Sequence, residues 1–299
     1  MDASAAPPAP TPVASQVRRD FVALANARIR YADYEPADSE APPVVMIHGA
    51  SASHLDLELA LLPEAARGRR VLLFDRPGHG RSTRPRGAHD PFIQAQILRD
   101  AASALGAERP ILLAHSLGGA IALAWALEFG EEISGLVLLA PVSHPWPGGV
   151  DWHHHAAVAP VIGPLFRRTI APVAGPRIAR RYLKPPLPAN YFERAELRNL
   201  FRPQTFKANS EDIYNLKKHV TRMSRRYHEI SAPMRIIAGD RDVTVCPMIH
   251  SHHLAREAAN AKLTLLPGVG HFLQHDRPKK ALAALDEVAA LAGARLEAR

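Results

Sequence analysis

An α/β fold with a mostly parallel central sheet, flanking helices and an inserted helical cap is what this chain predicts, from three observations. Short aliphatic runs recur at 44–47, 71–74, 111–113, 136–139, 234–238 and 263–266, the pattern of strands buried on both faces. Stretches with helical spacing at 92–105 and 120–127 separate several of them, and another follows at 281–292. Strand–helix alternation of this kind implies a parallel sheet covered on both sides. The rhythm then stops between Val142 and about Ile230, a region rich in proline, arginine and aromatics with helical patches and no strong strand. An insertion between two halves of one sheet accounts for this. It would lie over the strand ends, where open α/β sheets bind ligands.

Taken in order, residues 1–17 begin with a Pro/Ala-rich run and have neither a basic start nor an apolar core, so a flexible arm is expected rather than a signal peptide. Residues 18–34 alternate around a turn at Asn26, consistent with two antiparallel strands. The run at 44–47 ends in His48-Gly49, and that at 71–74 ends in Asp75-Arg76-Pro77-Gly78-His79-Gly80. After the cap, a helix is expected over 246–259 and a closing helix over 281–292. The core is therefore 18–141 with 231–299, and the cap is 142–230. No internal repeat is present.

At 299 residues, 47% hydrophobic and 22% charged, the chain has the composition of a soluble globular protein. No run of eighteen apolar residues predicts a membrane span, and a cytoplasmic location is the expectation. The single Cys246 excludes an internal disulfide and a multi-cysteine metal site. The net charge of +8 is concentrated: residues 142–230 carry 15 Lys/Arg against 6 Asp/Glu, leaving 22 against 23 elsewhere. That placement argues against nucleic acid as a partner. It fits weak contact of a basic cap, including Arg167, Arg168, Arg177, Arg180 and Arg181, with anionic substrates or interfaces. A solvated arginine-rich face is the plainer alternative.

The segment Ala114-His115-Ser116-Leu117-Gly118-Gly119 lies between an aliphatic strand and an alanine-rich helix pattern. A serine on such a turn is held in a strained backbone with its hydroxyl above the sheet. The turn requires small neighbours, which Ala114 and Gly118 supply. A glycine-containing helix entrance without chemistry would look similar. Four further motifs follow the strand ends: His48-Gly49-Ala50-Ser51, the Asp75–Ser82 turn, Gly239-Asp240-Arg241-Asp242, and Gly270-His271-Phe272.

With these five motifs in phase with the strands, the chain resembles the α/β-hydrolase fold superfamily from about residue 20 to residue 292, and in particular its serine-nucleophile, esterase- or lipase-like members with a helical cap. Alanine at 114 departs from the glycine usual there. The resemblance implies a Ser116 nucleophile, His271 as base and Asp242 as acid, in the chain order expected for this fold. Asp240 and Asp151 are the competing acids, and Asp75 is expected to tie down its own turn. The backbone N–H groups of Ala50 and Leu117 would form an oxyanion hole. His48, Ser51, His115, Trp146 and Trp152 are candidates for the substrate pocket, although His115 is rather expected to pack beside the elbow, His48 to hydrogen-bond within its loop near the pocket, and the two tryptophans would equally anchor the cap. His153-His154-His155 lacks the cysteine or paired carboxylate of a metal site, so neither metal nor cofactor is expected. The implied activity is hydrolysis of an apolar small-molecule carboxylic ester. Thioester, amide or C–C bond hydrolysis, acyl transfer, and non-catalytic ligand binding on the same scaffold are the alternatives. Natural substrate and oligomeric state are not legible.

Overall fold

A computed structural model describes residues 16–36, 39, 41–183 and 186–297. The chain opens with the antiparallel pair β1 (Gln16–Ala23) and β2 (Arg28–Glu35). It continues through β3 (Val44–Ile47), α1 (His54–Leu61), β4 (Val71–Phe74), α2 (Pro91–Ala104), β5 (Ile111–His115), α3 (Leu117–Phe129) and β6 (Gly135–Leu139). Four helices follow: α4 (Trp152–Val158), α5 (Ile162–Tyr182), α6 (Tyr191–Arg194) and α7 (Pro203–Met223). The sheet resumes with β7 (Met234–Gly239), α8 (Ser251–Glu257), β8 (Ala261–Leu266), α9 (Leu273–Asp276) and α10 (Pro278–Glu297). Eight strands lie in the order β1-β2-β4-β3-β5-β6-β7-β8. All neighbours from β4 to β8 run parallel, and β2 joins β4 antiparallel.

The aliphatic runs form strands because successive side chains serve opposite faces, and from β3 to β7 both faces are covered, whereas β8 at the sheet edge leaves half of its side chains exposed. Val45, Ile47, Leu72 and Phe74 pack with residues of α2 and α3. Their neighbours Val44, Met46, Val71 and Leu73 pack with residues of α1 and α10. Each such side chain contributes about 1.5–3 kcal/mol by leaving water. α2 starts where it does because Asp90 accepts the Phe92 N–H at 3.0 Å and Pro91 occupies the first helical position.

Between β6 and β7 the regular elements of the described residues are all helical. They share a separate apolar cluster that includes Ala157, Ala171, Tyr191, Phe201 and Phe206. The C-terminal half of α7 instead packs Leu216, Val220 and Met223 into the core under the sheet. That helix is therefore common to both layers.

Two boundaries differ from expectation. Residues 1–15 of the expected arm lie outside the described residues, and Gln16 and Val17 already belong to β1, paired with Glu35 and Tyr34. The helix expected over 246–259 spans only Ser251–Glu257. Residues 246–250 form hydrogen-bonded turns in which Ile249 and His250 both donate to the Cys246 carbonyl. Those turns carry the buried His250 ring to the N–H groups of Ser143 and His144.

Trp125 is the largest fully buried side chain. Trp125→Ala is expected to lower stability by about 3–5 kcal/mol, measured as a fall in the denaturant midpoint. A change below about 1 kcal/mol would mean that this layer is loosely packed.

Candidate active site

Sheet register sets the site. Ile47 of β3 is opposite Ala114 of β5, so the 48–51 loop and the Ser116 turn leave the sheet side by side. Gly239 of β7 is opposite Leu266 of β8, which does the same for the loops carrying Asp242 and His271.

Ser116 has φ 55° and ψ −120°, a conformation that non-glycine residues rarely adopt. Its N–H donates to the Leu139 carbonyl, and its own carbonyl accepts from Gly119 and Val142. The tight turn explains the following glycine. A Cβ on Gly118 would sit 2.4 Å from the Ile47 carbonyl oxygen. On the other side, a Cβ on Gly49 would lie 3.1 Å from the Ser116 Cβ, so the 48–51 backbone passes directly beside the serine.

Ser116 Oγ is 3.0 Å from His271 Nε2, and His271 Nδ1 is 2.7 Å from Asp242 Oδ2. Asp242 Oδ1 accepts the N–H groups of Thr244 and Val245, both at 2.8 Å. Burial pushes the Asp242 carboxyl up, but the His271 hydrogen bond and charge and the two amides outweigh it, and the net shift is down. The carboxylate therefore stays ionised beside the imidazole. With Nδ1–H donated to Asp242, Nε2 is left free to accept a proton from the serine. Leu117 opens α3, where N–H groups have no intrahelical acceptor. Among the described residues the Ala50 N–H likewise donates to no other group.

The sequence profile of the Alpha/beta hydrolase family matches residues 44–285. The chain belongs to this family. A proline iminopeptidase of Pestalotiopsis fici is 26% identical over 268 residues, covering 84% of this chain and 92% of its own. A (lyso)-N-acylphosphatidylethanolamine lipase of Mus musculus is 29% identical over 180 residues, 54% of this chain and 51% of its own. The structure of Cfl2 from Burkholderia cenocepacia shares the fold with a TM-score of 0.76 at 18% identity, over 91% of this chain and 96% of that one.

The other candidate acids are placed elsewhere. Asp240 Oδ1 accepts the Gly268 N–H at 2.7 Å and clasps the two loops together. Asp75 accepts the N–H groups of His54 and Arg81, and a Cβ on Gly80 would strike its carboxylate. Asp151 is exposed at the start of α4.

The five pocket candidates take different roles. His48 is fully buried, donating Nδ1–H to the Gly49 carbonyl and accepting the Arg76 N–H on Nε2. It supports the loop from beneath. His115 is also buried, its Nε2 donating to the His271 carbonyl at 3.0 Å, so it braces the loop that carries His271. Trp146 packs against the sheet core and the His250 ring and anchors the start of the insertion. Trp152 is 71% exposed and contacts Phe166 at its edge. Ser51, at φ 55°, lines a cavity of about 170 Å³ with Arg30, Arg81, Leu197 and Thr205. Ser116 and His271 do not line it. Of the three consecutive histidines, His154 is buried against Ser210 and His155 packs on Tyr214. Among the described residues no three His, Cys, Asp or Glu side chains are grouped to hold a metal.

Residues that local motifs did not reveal lie on α7. The buried Asn209 accepts the Ser51 N–H at 2.7 Å and donates to Ser51 Oγ at 3.1 Å. One turn on, the buried Asp212 binds the fully buried Arg76, whose other nitrogen donates to the Gly49 carbonyl at 3.1 Å. Two polar residues three apart, on a helix face otherwise bearing Phe206, Leu216 and Val220, were the available signal.

His115, His154 and His250 are each pushed down to about 4, chiefly by burial; burial also holds His48 and His79 well below the ordinary range. The unfolded chain binds protons on these rings below about pH 6.5, whereas the native protein does not. Stability is therefore complete above that pH and is lost as the pH falls toward 4. The lowered Asp242 acts only in more acidic solution. The free energy of unfolding should fall from about pH 6.5 to 5, by about 2 kcal/mol at the lower end for each of His115, His154 and His250, read as a falling denaturant midpoint. A flat profile would show these rings protonated in the native state.

Proposed function

We propose that this hydrolase cleaves a carboxylic ester through an acyl-enzyme intermediate formed on Ser116. The observation that carries the proposal is the unbroken hydrogen-bond chain from Ser116 Oγ through His271 to Asp242, at 3.0 and 2.7 Å. Serine alone is a weak nucleophile and needs an adjacent base. In the proposed sequence His271 Nε2 takes the hydroxyl proton as Oγ attacks the ester carbonyl. Asp242 stabilises the imidazolium, and the Ala50 and Leu117 N–H groups receive the oxyanion. His271 then gives its proton to the leaving alkoxide, and an alcohol departs. A water molecule deprotonated by His271 attacks the acyl-enzyme, restoring the serine and releasing the acid.

Serine rather than aspartate at 116 speaks against the alkyl-enzyme chemistry of relatives with an aspartate nucleophile. The iminopeptidase relative gives amide hydrolysis support as a second reading, since the same groups would protonate an amine leaving group. A panel of p-nitrophenyl esters of rising acyl length, set beside thioester and amide analogues, decides between them. Fluorophosphonate labelling at Ser116 separates either enzyme from a binding protein on the same scaffold.

Ser116→Ala and His271→Ala should each abolish turnover with the denaturant midpoint retained. More than about a hundredth of the original rate in either would place the chemistry elsewhere, since losing such a residue typically costs orders of magnitude more. Asp242→Asn should lower kcat by about 10⁴-fold. Asp240→Asn should leave kcat within a few-fold, and a greater loss there than at Asp242 would reverse the assignment of the acid.

The α7 contacts give a separate expectation. Asn209→Ala releases the Ser51 N–H and loosens the loop carrying the Ala50 donor, so kcat should fall about 10- to 100-fold with KM nearly unchanged. An equal loss in kcat/KM through KM alone would assign Asn209 to substrate binding.

A further inference from the structure

The outer face of the insertion has a composition that the proposed chemistry does not use. Residues 152–192 contain six Lys/Arg and no Asp or Glu. Seven of the fourteen exposed large apolar side chains of the described residues fall there: Trp152, Val161, Ile162, Leu165, Ile170, Val173 and Ile178. Val161 is 87% and Leu165 67% exposed.

This exposure follows from how α5 is seated. Its inner face carries the buried Ala171 and the close contact of Gly175, where a Cβ would strike the Phe201 ring. That face packs on the cluster around Phe201 and Phe206. Ile162, Leu165, Thr169 and Val173, spaced by three and four, lie on the opposite side of the helix. A surface helix ordinarily presents polar residues there, and a contiguous apolar patch marks a contact site.

Charge selects the occupant. Arg168 lies beside Leu165 on the helix surface, and Arg177 and Arg180 follow Val173 one and two turns later. Arg177 donates to the Val173 carbonyl and has no acidic partner among the described residues, while Arg180 pairs with Glu193 at the rim. Arg167 turns inward to the Ala157 carbonyl. The Arg181 side chain lies outside the described residues. A protein partner for an apolar stripe needs only shape. A stripe flanked by arginines, with an exposed tryptophan at one end and no carboxylate over 41 residues, matches the boundary of an anionic lipid layer. Tryptophan and arginine are both suited to the level of the headgroups.

We propose that α4 and α5 dock this protein on an anionic bilayer surface, with Trp152, Ile162, Leu165 and Val173 entering the headgroup boundary and Arg168 and Arg177 contacting lipid phosphates. The inference is independent of the reaction catalysed. Among the described residues no helix is long and apolar enough to cross a membrane, so the contact is peripheral.

The test is co-sedimentation of the full chain with vesicles of phosphatidylcholine alone and of phosphatidylcholine with 30 mol% phosphatidylglycerol, about 0.05 to 0.5 M salt. Binding is expected only to the mixed vesicles, weakening as salt rises, with a blue shift of tryptophan emission that Trp152→Phe removes. Leu165→Asp/Val173→Asp and Arg168→Glu/Arg177→Glu should each weaken partition at least about tenfold with unchanged denaturant midpoints. Leu291→Asp, a change on α10, should bind as the original does. Absent binding to the mixed vesicles, or equal binding to both compositions, overturns the proposal. So does a soluble dimer that Leu165→Asp/Val173→Asp converts to monomer without any vesicle binding, which would assign the face to a second copy of the chain.

Discussion

The fully buried ion pair of Arg76 with Asp212 is the interaction on which the site's geometry depends. Arg76 follows β4, Asp212 lies on α7, and the same guanidinium reaches the Gly49 carbonyl after β3 and Gln94 on α2. Arg84 and Gln94 occupy the second carboxylate oxygen of Asp212. Four segments far apart in sequence thus converge on one charge pair. Removing one partner of a buried pair typically costs about 3–5 kcal/mol, because the other is left charged without compensation. Near this cation His48 and His79 are held neutral, and a neutral His48 can accept the Arg76 N–H.

The insertion is consequently not a detachable cover. Its first helices have their own apolar cluster, but α7 enters the sheet core with Leu216, Val220 and Met223 and supports the 48–51 loop through Asn209 and Asp212. A second buried network ties it to the other side of the site. Tyr191 of α6 donates to Asp56 of α1, and Asp56 also binds Gln274 and His275, just beyond His271. Burial alone would raise the Asp56 carboxyl, but His275, the nearby His115 and the Tyr191 hydrogen bond bring it down to about 2. The loop that carries Ala50 and the segment that carries His271 are therefore both braced from the insertion.

Much of the core was legible because its signals are local. The four-residue runs of β3 and β4 are too short for a helix and are closed by loop residues, which fits a strand covered on both faces, and the Ser116 turn needs small residues at defined offsets. Asp242 and His271 follow strands whose aliphatic pattern is equally plain. The contacts of Asn209 and Asp212 were hidden because their partners lie 158 and 136 residues away. His48 and His115 show how far such adjacency reaches. Adjacency to a motif places a residue near the site but does not say whether its side chain faces the cavity or the core. The short extent of α8 has a similar origin, since the demands of Ser143 and His144 on His250 are tertiary.

β8 is the last strand of the sheet, hydrogen-bonded on one side only and with half of its side chains exposed. Yet the segment that follows it carries His271. Elements with exposed surface open at lower free energy than the core they flank. The clasp between Asp240 and Gly268, with the Asp240 and Arg241 N–H groups bonded to Leu266 and Val269, is what keeps this edge closed. Warming is therefore expected to loosen this rim before the layers around Trp125, so that the His271 imidazole would part from Ser116 while the core of the sheet is still folded.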